Sequence, residues 1–374
     1  MAARAVIPGS GVVAGEFDVS GLVLAYPHRL GGHCGSGAQR DLLAWAGLGW
    51  NGPPSEGLTF TLSGALDFSY LRSSELRPPL YLVGRGSDLE TDLPTRLGAT
   101  VDARSTDDPE LGWKWVTNEI DSGRPVMAWA DIAELPYLRV KLRMSRHDIV
   151  VIGYDDDAEI AHVVDNDREQ TQLVPYAALA RARASTSFPV PTRHTTFLIE
   201  WPEGLPPLRN VAADAFRQIA STMADPVVSR GGTAGATTGL QGVRAFAEDL
   251  DRWRAAFSPG ALDEILRYLA AFIEKAGTGG GLFRRLLAEG CFEIAAAVGS
   301  PQVLLAAGKA RTCAELWTAI ATEAMRSDLD PAERLHAIRG IAHSVVDEEA
   351  NLRRAIEVAA TALDRPSTFR GGPQ

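Results

Sequence analysis

Residues 147–167 read HDIVVIGYDDDAEIAHVVDND, and this stretch decides the fold of the first half of the chain. Two apolar runs rich in Val and Ile lie on either side of an acidic segment, residues 155–159. Apolar runs around a short polar turn predict an antiparallel β-hairpin. If Tyr154 faces Ile160 across the turn, then His147 faces Asp167 and Asp165 faces Ile149.

The predicted hairpin places a histidine beside several polar side chains. Because side chains alternate between the two faces of a strand, His147, Asp165 and Asp167 share one face. Asp167 lies directly opposite the histidine and Asp165 on the diagonal, while a slip of one residue would bring Asn166 there instead. Any of the three could orient the imidazole as a general base. The alternative is a histidine at a strand edge without a chemical role.

Cys34 follows a loop rich in Gly and His, residues 28–33, and precedes apolar residues at helical spacing, residues 42–48. This pattern predicts that Cys34 lies at or near the start of a helix. A helix N-terminus stabilises a thiolate. Small neighbours such as Gly35 leave room for a substrate carbonyl, so the Cys34 N–H could donate to an oxyanion. The alternative is a buried cysteine that packs as a small apolar residue.

The base for such a nucleophile comes from a distant part of the sequence. His33 neighbours Cys34, and we expect its ring to point away from the sulfur. His147 is the better candidate, with Asp165 as the carboxylate that orients it. The residues therefore predict a Cys34, His147 and Asp165 site for acyl transfer, with Asn166 and Asp167 still open as orienting groups.

The chain has 374 residues, a length that favours two domains. The first half mixes helix and strand patterns, including short strands or a hairpin-like lid at residues 58–71. Beyond a proline-rich link at residues 202–207, almost every pattern is helical. We predict an α+β fold with four segments, namely a flexible N-terminus at 1–18, a catalytic domain at 19–204, an all-helical domain at 208–365 and a disordered tail at 366–374.

Composition excludes several classes of protein. A net charge of −10 gives no support to a nucleic-acid-binding protein, which would need a clustered excess of Lys and Arg. The three cysteines, Cys34, Cys291 and Cys313, form neither a disulfide framework nor a zinc motif. No signal peptide or apolar stretch of membrane-spanning length is recognisable. We therefore expect a reduced, cytoplasmic protein that needs neither a metal nor an organic cofactor.

The order of several motifs resembles that of the butirosin biosynthesis protein H family. The resemblance covers nearly the whole chain after residue 20. The matching segments of the first half are residues 33–43 (HCGSGAQRDLL), 55–58, 62–70, 123–126, 135–137 and 147–155. Those of the helical half are residues 239–244 and 277–284.

The resemblance implies an acyltransferase that moves an aminoacyl chain from an acyl carrier protein to an amine in antibiotic-type secondary metabolism. It also implies a papain-like, cysteine-peptidase-type N-terminal domain, in which the Cys-bearing helix packs on an antiparallel sheet, and an all-α companion domain. In papain-like relatives a glutamine six residues before the cysteine donates to the oxyanion. His28 occupies that position here, which leaves the oxyanion donor open among His28, His33 and the backbone near Gly35.

Several residues are candidates for contact with substrate or partner. The alternative for each is a purely structural role, which is the more common one for residues of these types. The proposed substrate contacts are Tyr70, Trp129, Tyr137 and Arg284. Arg139, Lys141 and Arg143 alternate along the chain and could form a basic strand face that docks an acidic carrier protein. A solvated strand face is the alternative.

The same residues also allow other functions. With water as the acceptor, the site would be that of a thioesterase, amidase or peptidase, and an intramolecular amine would give a ring. A binding or scaffold protein that keeps the fold without turnover is the third possibility. The expected partners are a carrier protein or another thioester donor and a small-molecule amine, without nucleic acid or membrane, while a homodimer stays open.

Overall fold

A computed structural model of the chain describes residues 21–86, 88–140, 143–224 and 235–364. The chain divides into two compact units, Met1–Thr59 with Leu89–Leu205 and Phe60–Asp88 with Pro206–Gln374. Residues 60–88 therefore belong to the second unit, although the sequence patterns assigned them to the catalytic domain. The segments predicted as a flexible N-terminus (1–18) and a disordered tail (366–374) lie outside the described residues.

Ten strands and eleven α-helices follow one another along the part of the chain that the structure describes. The strands are β1 (Gly21–Val23), β2 (Leu66–Arg72), β3 (Leu80–Arg85), β4 (Thr100–Arg104), β5 (Val126–Ala130), β6 (His147–Asp155), β7 (Ile160–Val164), β8 (Gln172–Pro175), β9 (Thr196–Glu200) and β10 (Thr237–Thr238). The helices are α1 (Cys34–Trp45), α2 (Glu56–Ser63), α3 (Leu89–Arg96), α4 (Pro109–Asp121), α5 (Tyr176–Arg183), α6 (Leu208–Ala224), α7 (Gly239–Ala256), α8 (Pro259–Glu274), α9 (Arg284–Val298), α10 (Pro301–Ala324) and α11 (Pro331–Asp364).

The first unit is built on an antiparallel sheet with the strand order β4-β9-β5-β6-β7-β8, and β1 pairs with the end of β6. The central strand β6 is buried along most of its length, which explains its nearly continuous apolar sequence. Val150 and Ile152 on one face pack in a cluster with Ala38 and Leu42 of α1. Helix α1 therefore lies on the sheet, which confirms the predicted combination of helices and an antiparallel sheet.

The hairpin of β6 and β7 forms as predicted, although its turn differs by one residue. Asp155 pairs with Ile160, and Tyr154 pairs with Ala161 rather than with Ile160. An irregularity between Val151 and Gly153 then shifts the register, and Val151 pairs with Val163. The shift restores the predicted register on the side of His147, because a β-bulge adds one residue to one strand only.

Residues 56–63, within which a strand was predicted, form helix α2. The hydroxyl of Ser55 accepts a hydrogen bond from the Leu58 N–H at 3.0 Å, which is the contact of a helix N-cap. Phe60 and Leu62 are fully buried, and Phe60 stacks on Phe283 with ring centroids 5.3 Å apart. Burial on several sides of the helix hides the periodicity that a half-buried helix would show.

The second unit contains a three-stranded sheet, β10-β2-β3, and the helices α6 to α11. Phe68 of β2 stacks on Trp317 of α10 with centroids 5.4 Å apart, and Phe246 of α7 lies 5.6 Å from the same indole. Among the described residues after 205, the regular structure is helical apart from the short strand β10, as the sequence predicts. Across the described residues, no helix is both long and apolar enough to cross a membrane.

Candidate active site

Cys34 is the first residue of α1, and His33 is the N-cap of this helix. The Cys34 side chain is largely buried, with 8% of the residue exposed. The first turn of a helix presents backbone N–H groups without intrahelical acceptors, and these favour negative charge. The position of Cys34 therefore agrees with the predicted helix start.

The loop before Cys34 is held by the carboxylate of Glu56, which was not among the predicted site residues. Its oxygens accept hydrogen bonds from the N–H groups of Gly32 and His33, both at 2.8 Å. They also accept a bond from the Ser36 hydroxyl at 3.1 Å. The only sequence signal for this role is that Glu56 lies within one of the family-like motifs, residues 55–58.

His28 takes a structural position rather than that of an oxyanion donor. Its Nδ1 lies 2.9 Å from the Asp41 carboxylate and its Nε2 lies 2.6 Å from the Arg168 carbonyl oxygen. Both partners only accept hydrogen bonds, so the ring carries two protons here. The hydrogen bond to Asp41 raises the pKa of His28, although burial opposes the charge. Neither nitrogen is left for the role predicted for His28.

His147 begins β6, and its Nε2 lies 2.7 Å from the Asp165 carboxylate. The same carboxylate oxygen accepts a hydrogen bond from the Tyr137 hydroxyl at 2.7 Å. Tyr137, predicted as a wall of a substrate cleft, therefore holds Asp165. Because Asp165 occupies Nε2, Nδ1 is the imidazole nitrogen left for Cys34.

The two other candidates for orienting His147 have different partners. The Asn166 side chain donates to the Gly31 carbonyl at 2.9 Å, and the Gly31 N–H donates to the Asn166 carbonyl at 2.9 Å. Asp167 is exposed and pairs with Arg168 at 2.7 Å. The pair of bonds between Asn166 and Gly31 ties the loop before Cys34 to the segment that carries Asp165.

The charges of the three residues are coupled. Burial raises the pKa of the Cys34 thiol, but the imidazoles of His33 and His147 outweigh burial and hold it well below its ordinary value. Burial opposes a charged His147, whereas Asp165 and the Cys34 thiolate raise its pKa well above the usual range. Asp165, although buried, has a lowered pKa because of His147 and Tyr137. The arrangement favours a thiolate–imidazolium pair.

His33, expected to point away from Cys34, caps the start of α1 with its ring. Its Nδ1 lies 3.1 Å from the Ser36 N–H, which donates to it, and 3.0 Å from the Ser36 hydroxyl. The ring is buried and interacts with the Cys34 thiol. The extended backbone at the N-cap turns the side chain back over the first helical turn, where it accepts the Ser36 N–H.

Asp148 is a further neighbour of the sulfur that was not among the predicted site residues. Its side chain is buried, and its Oδ2 lies 3.7 Å from the Cys34 Sγ, which donates to it in the thiol form. A Cβ atom added at Gly35 would lie 2.7 Å from this oxygen and 2.9 Å from Leu89. Gly35 is therefore needed for the packing of Asp148 against the helix start.

Trp129, predicted as a wall of a substrate cleft, packs within the first unit. The Arg146 guanidinium lies over its ring, 4.9 Å from the centroid, and also pairs with Glu90 at 2.8 Å. The Phe197 ring packs edge-on against the same indole, with centroids 5.5 Å apart. These contacts hold Arg146, the residue before His147, so Trp129 helps to position the start of β6.

Tyr70 and Arg284 belong to the second unit, where each has structural partners. The Tyr70 hydroxyl donates to Asp249 at 2.6 Å. Arg284 is fully buried and donates to Glu349 at 2.7 Å and to the carbonyls of Asp67 and Gly84 at 3.1 Å. Arg284 thus joins α9 and α11 to the strands β2 and β3, which accounts for the place of residues 60–88 in this unit.

The basic segment before β6 is not a strand in the part that the structure describes. Arg139 has a left-handed backbone with φ of 56°, which no strand residue adopts. Arg143 lies 3.4 Å from Glu134, while Lys141 lies outside the described residues. Among the described residues, no group of three or more His, Cys, Asp or Glu side chains is arranged to hold a metal ion.

Two family models match the chain. The model described as butirosin biosynthesis protein H, N-terminal, matches residues 33–166. The second, a domain of unknown function (DUF4872), matches residues 177–356. No curated protein matches the chain. The first match begins at His33 and ends at Asn166, so it contains Cys34, His147 and Asp165, and residues 33–166 of the chain belong to the butirosin biosynthesis protein H, N-terminal, family.

Proposed function

We propose that the protein is a cysteine-dependent acyltransferase with Cys34 as nucleophile, His147 as acid and base, and Asp165 as the residue that orients His147. The acyl group comes from a thioester and passes to an amine. The observation that carries the proposal is the position of Cys34 at the N-terminus of α1, with a thiol pKa lowered by His147, whose Nε2 lies 2.7 Å from the Asp165 carboxylate.

The architecture of the first unit supports a papain-like fold. The cysteine begins a helix that packs on an antiparallel sheet, the histidine begins the central strand, and the aspartate follows the neighbouring strand. Papain-like enzymes use this order of residues for acyl transfer through a thiol. The fold assignment is part of the proposal.

The first half-reaction forms an acyl-enzyme. The Cys34 thiolate attacks the thioester carbon and the carbonyl π electrons move to oxygen. Collapse of this intermediate expels the donor thiolate, which takes the proton from the His147 imidazolium. Two coupled pKa shifts support this step, because they favour a charged sulfur beside a protonated imidazole.

The second half-reaction releases the acyl group. Neutral His147 takes a proton from an incoming amine while the amine nitrogen attacks the carbonyl carbon of the acyl-enzyme. The acyl group is then released as an amide of this nitrogen. Collapse returns Cys34 as thiolate and His147 as imidazolium. An amine within the acyl chain would give a ring, and water would make the protein a hydrolase.

The family name supports the biological setting of the proposal. It refers to the biosynthesis of butirosin, so we place the reaction in antibiotic-type secondary metabolism, inside a reducing cytoplasm. We propose an acyl carrier protein as the donor and a small-molecule amine as the acceptor.

Intact-mass spectrometry with a panel of acyl thioesters tests the proposal. Wild-type protein should gain the mass of one acyl group, and Cys34→Ala should not. The double variant Cys291→Ala/Cys313→Ala is the matched control and should acylate like wild type. Addition of an amine should then remove the adduct and produce an amide.

Each result separates the proposed function from its alternatives. Loss of the adduct in buffer alone, with free acid as product and no amide in the presence of amines, would favour a hydrolase. An absence of any adduct with every thioester would favour a binding protein without turnover and contradict the acyltransferase proposal.

A further inference from the structure

We propose that His28 and Asn166 are positioning residues that hold the nucleophile Cys34 at a fixed distance from its base. Each joins the part of the chain around Cys34 to the turn that carries Asp165, and we call these two sets of contacts the clamp. The inference rests on the proposed function for the roles of Cys34 and Asp165. It goes beyond that function because neither the reaction nor the family match assigns a part in catalysis to His28 or Asn166.

The turn of residues 165–168 has Asp165 as its first residue. The Arg168 N–H donates to the Asp165 carbonyl at 3.0 Å, and the Asp167 N–H donates to the Asp165 carboxylate at 3.3 Å. These bonds close the turn, so its first and last residues move together. Because the Asp165 carboxylate lies 2.7 Å from His147 Nε2, a displacement of the turn displaces the partner of the imidazole.

Asn166 joins this turn to the loop before the nucleophile. Its side-chain amide donates to the Gly31 carbonyl at 2.9 Å, and its own main-chain carbonyl accepts the Gly31 N–H at 2.9 Å. A Cβ atom added at Gly37 of α1 would lie 3.1 Å from the Cβ atom of Asn166. The glycine therefore lets the turn pack closely on the helix that begins with Cys34.

His28 joins the turn to the same helix at a second point. Its Nδ1 lies 2.9 Å from the carboxylate of Asp41 in α1, and its Nε2 lies 2.6 Å from the Arg168 carbonyl oxygen. Because the imidazole ring is rigid, these two bonds set the distance between the helix and the turn. The Asp41 carboxylate also accepts the Arg40 Nε–H at 2.8 Å and the Arg29 N–H at 3.1 Å, which hold it in place.

The clamp acts on a distance that no single element of the fold determines. Cys34 begins a helix, whereas His147 begins a strand and Asp165 follows the next strand. The position of the sulfur relative to the imidazole therefore depends on how the helix packs on the sheet. A misplacement of about 1 Å in an active site can slow a reaction about 100-fold. Two separate points of contact restrict rotation as well as sliding of the helix against the turn.

Two substitutions each remove one half of the clamp. Asn166→Ala removes the side-chain donor to Gly31 without a change of charge and keeps the main-chain bond. His28→Gln has its donors on a single nitrogen, which cannot reach both acceptors. Asn351→Ala and His343→Gln are the matched controls, because each removes a side-chain bond within α11. Thermal unfolding of all four variants shows whether each one folds.

Two measurements separate positioning from a purely structural role. The ultraviolet absorbance of the thiolate, taken against Cys34→Ala at several pH values, needs no substrate. Both clamp substitutions should raise the apparent pKa of Cys34, because a displaced His147 stabilises the thiolate less. The second measurement is acylation by 4-nitrophenyl acetate, which forms an acetyl thioester on Cys34 and releases 4-nitrophenolate. It should slow about 10- to 100-fold in the folded clamp variants, and the controls should equal wild type in both measurements.

The double variant His28→Gln/Asn166→Ala separates the clamp from the loss of the His28 charge. Two independent effects add, whereas two substitutions that break one set of coupled contacts do not. We expect the double variant to acylate at most about threefold more slowly than the slower single variant.

Three results would overturn the inference. A folded Asn166→Ala protein that titrates and acylates like wild type would limit its contacts to stability. Fully additive losses in the double variant would mean that His28 and Asn166 do not act together. An ordinary thiol pKa for Cys34 in wild type would show that there is no thiolate–imidazolium pair to hold. The proposed function fails on a separate measurement, since a wild type with an intact clamp can still form no amide with any amine.

Discussion

At the scale of single residues, Cys34 differs from the two other cysteines of the chain in its electrostatic surroundings. His33 and His147 hold the pKa of Cys34 low, whereas burial raises the pKa of Cys291 and of Cys313. Only a thiolate reacts with an alkylating reagent at an appreciable rate. The chemistry of the three thiols should therefore separate them without any knowledge of the substrate.

We predict that iodoacetamide modifies Cys34 first, with an apparent pKa well below the ordinary value of about 8.5. A depressed pKa means that the rate rises with pH in the acidic range and is already on its plateau near neutrality. His147→Ala removes a cation and should raise the apparent pKa. Peptide mapping after timed alkylation at several pH values measures both effects. A His147→Ala profile identical to that of wild type would show that His147 does not act on the sulfur.

For a substitution of Asp148 we predict the opposite change in the apparent pKa of Cys34. Its carboxylate lies 3.7 Å from the sulfur, where a negative charge opposes a thiolate. Asp148→Asn keeps the shape and removes the charge, so the apparent pKa of Cys34 should fall. The same alkylation profile measures the change, with Asp165→Asn as the matched control that should raise the pKa through His147. A higher pKa in Asp148→Asn would mean that Asp148 donates a proton to the sulfur.

Tyr137 is predicted to act through Asp165. Its hydroxyl donates to the carboxylate oxygen that also holds His147. Tyr137→Phe should raise the pKa of Asp165 and slow acylation of Cys34 about tenfold, since a hydrogen bond to a charged group contributes about 1.5–3 kcal/mol. Tyr154→Phe is the control, because it removes a similar bond to Asp121 in the same unit. Equal effects of the two substitutions on the acylation rate would contradict the role of Tyr137.

At the scale of elements, the loop of residues 31–33 depends on a helix that follows it in the chain. Glu56 of α2 accepts two of its N–H groups at 2.8 Å. Glu56→Gln replaces one acceptor oxygen by a donor. We therefore predict that the free energy of local opening of this loop is about 2 kcal/mol lower than in wild type. Hydrogen exchange of the peptide around residues 31–36 should accelerate about 30-fold, which corresponds to that free energy.

Glu134→Gln is the control for this experiment, since Glu134 pairs with Arg143 and Arg181 elsewhere in the first unit. Its exchange around residues 31–36 should equal that of wild type. An unchanged exchange rate in Glu56→Gln would show that the carboxylate does not hold the loop.

The hairpin shows how far sequence reasoning reaches at this scale. The apolar runs and the acidic turn predict β6 and β7, because alternation and turn chemistry are local properties. At the turn, the predicted pairing of the strands differs from the observed pairing by one residue. The bulge near Ile152 shifts the observed pairing by one residue, so that it agrees with the prediction on the side of His147. Asp165 could therefore be placed on the diagonal from His147, while the choice among Asp165, Asn166 and Asp167 needed the side-chain contacts.

The remaining parts of the site could not be predicted from spacing, for two physical reasons. Asp148 and Glu56 reach the helix start through tertiary packing, and neither has a local pattern that marks it. The ring of His33 accepts the Ser36 N–H because the backbone of the N-cap is extended, a contact that spacing in the sequence does not reveal. Helix α2 was missed because tertiary burial overrides the propensity of its Thr residues.

At the scale of the whole molecule, the chain forms two units, and the first is interrupted by residues 60–88 of the second. The fully buried pair of Arg284 and Glu349 lies in the second unit, together with the Trp317 N–H, which donates to Glu349 at 2.8 Å. A buried ion pair is costly to break, because a single charge is left without its partner.

We predict that Arg284→Met lowers the free energy of unfolding of the second unit by about 3–5 kcal/mol. The double variant Arg284→Met/Glu349→Leu should recover part of this loss, since no charge is left unpaired. Chemical denaturation followed by tryptophan fluorescence measures both changes. The acylation rate of the folded Arg284→Met protein should equal that of wild type, and a raised KM for the donor without a loss of stability would instead support the substrate-binding role first suggested for Arg284.

The two hydrogen bonds between Gly31 and Asn166 affect how the site loses its geometry on heating. They join Gly31, three residues before the nucleophile, to the residue just after Asp165, so a displacement of one carries the other with it. One of the two bonds is between main-chain groups, and the other reaches a main-chain carbonyl. Heating should therefore leave the spacing of sulfur and imidazole intact until the first unit melts as a whole, and inactivation without unfolding should be rare.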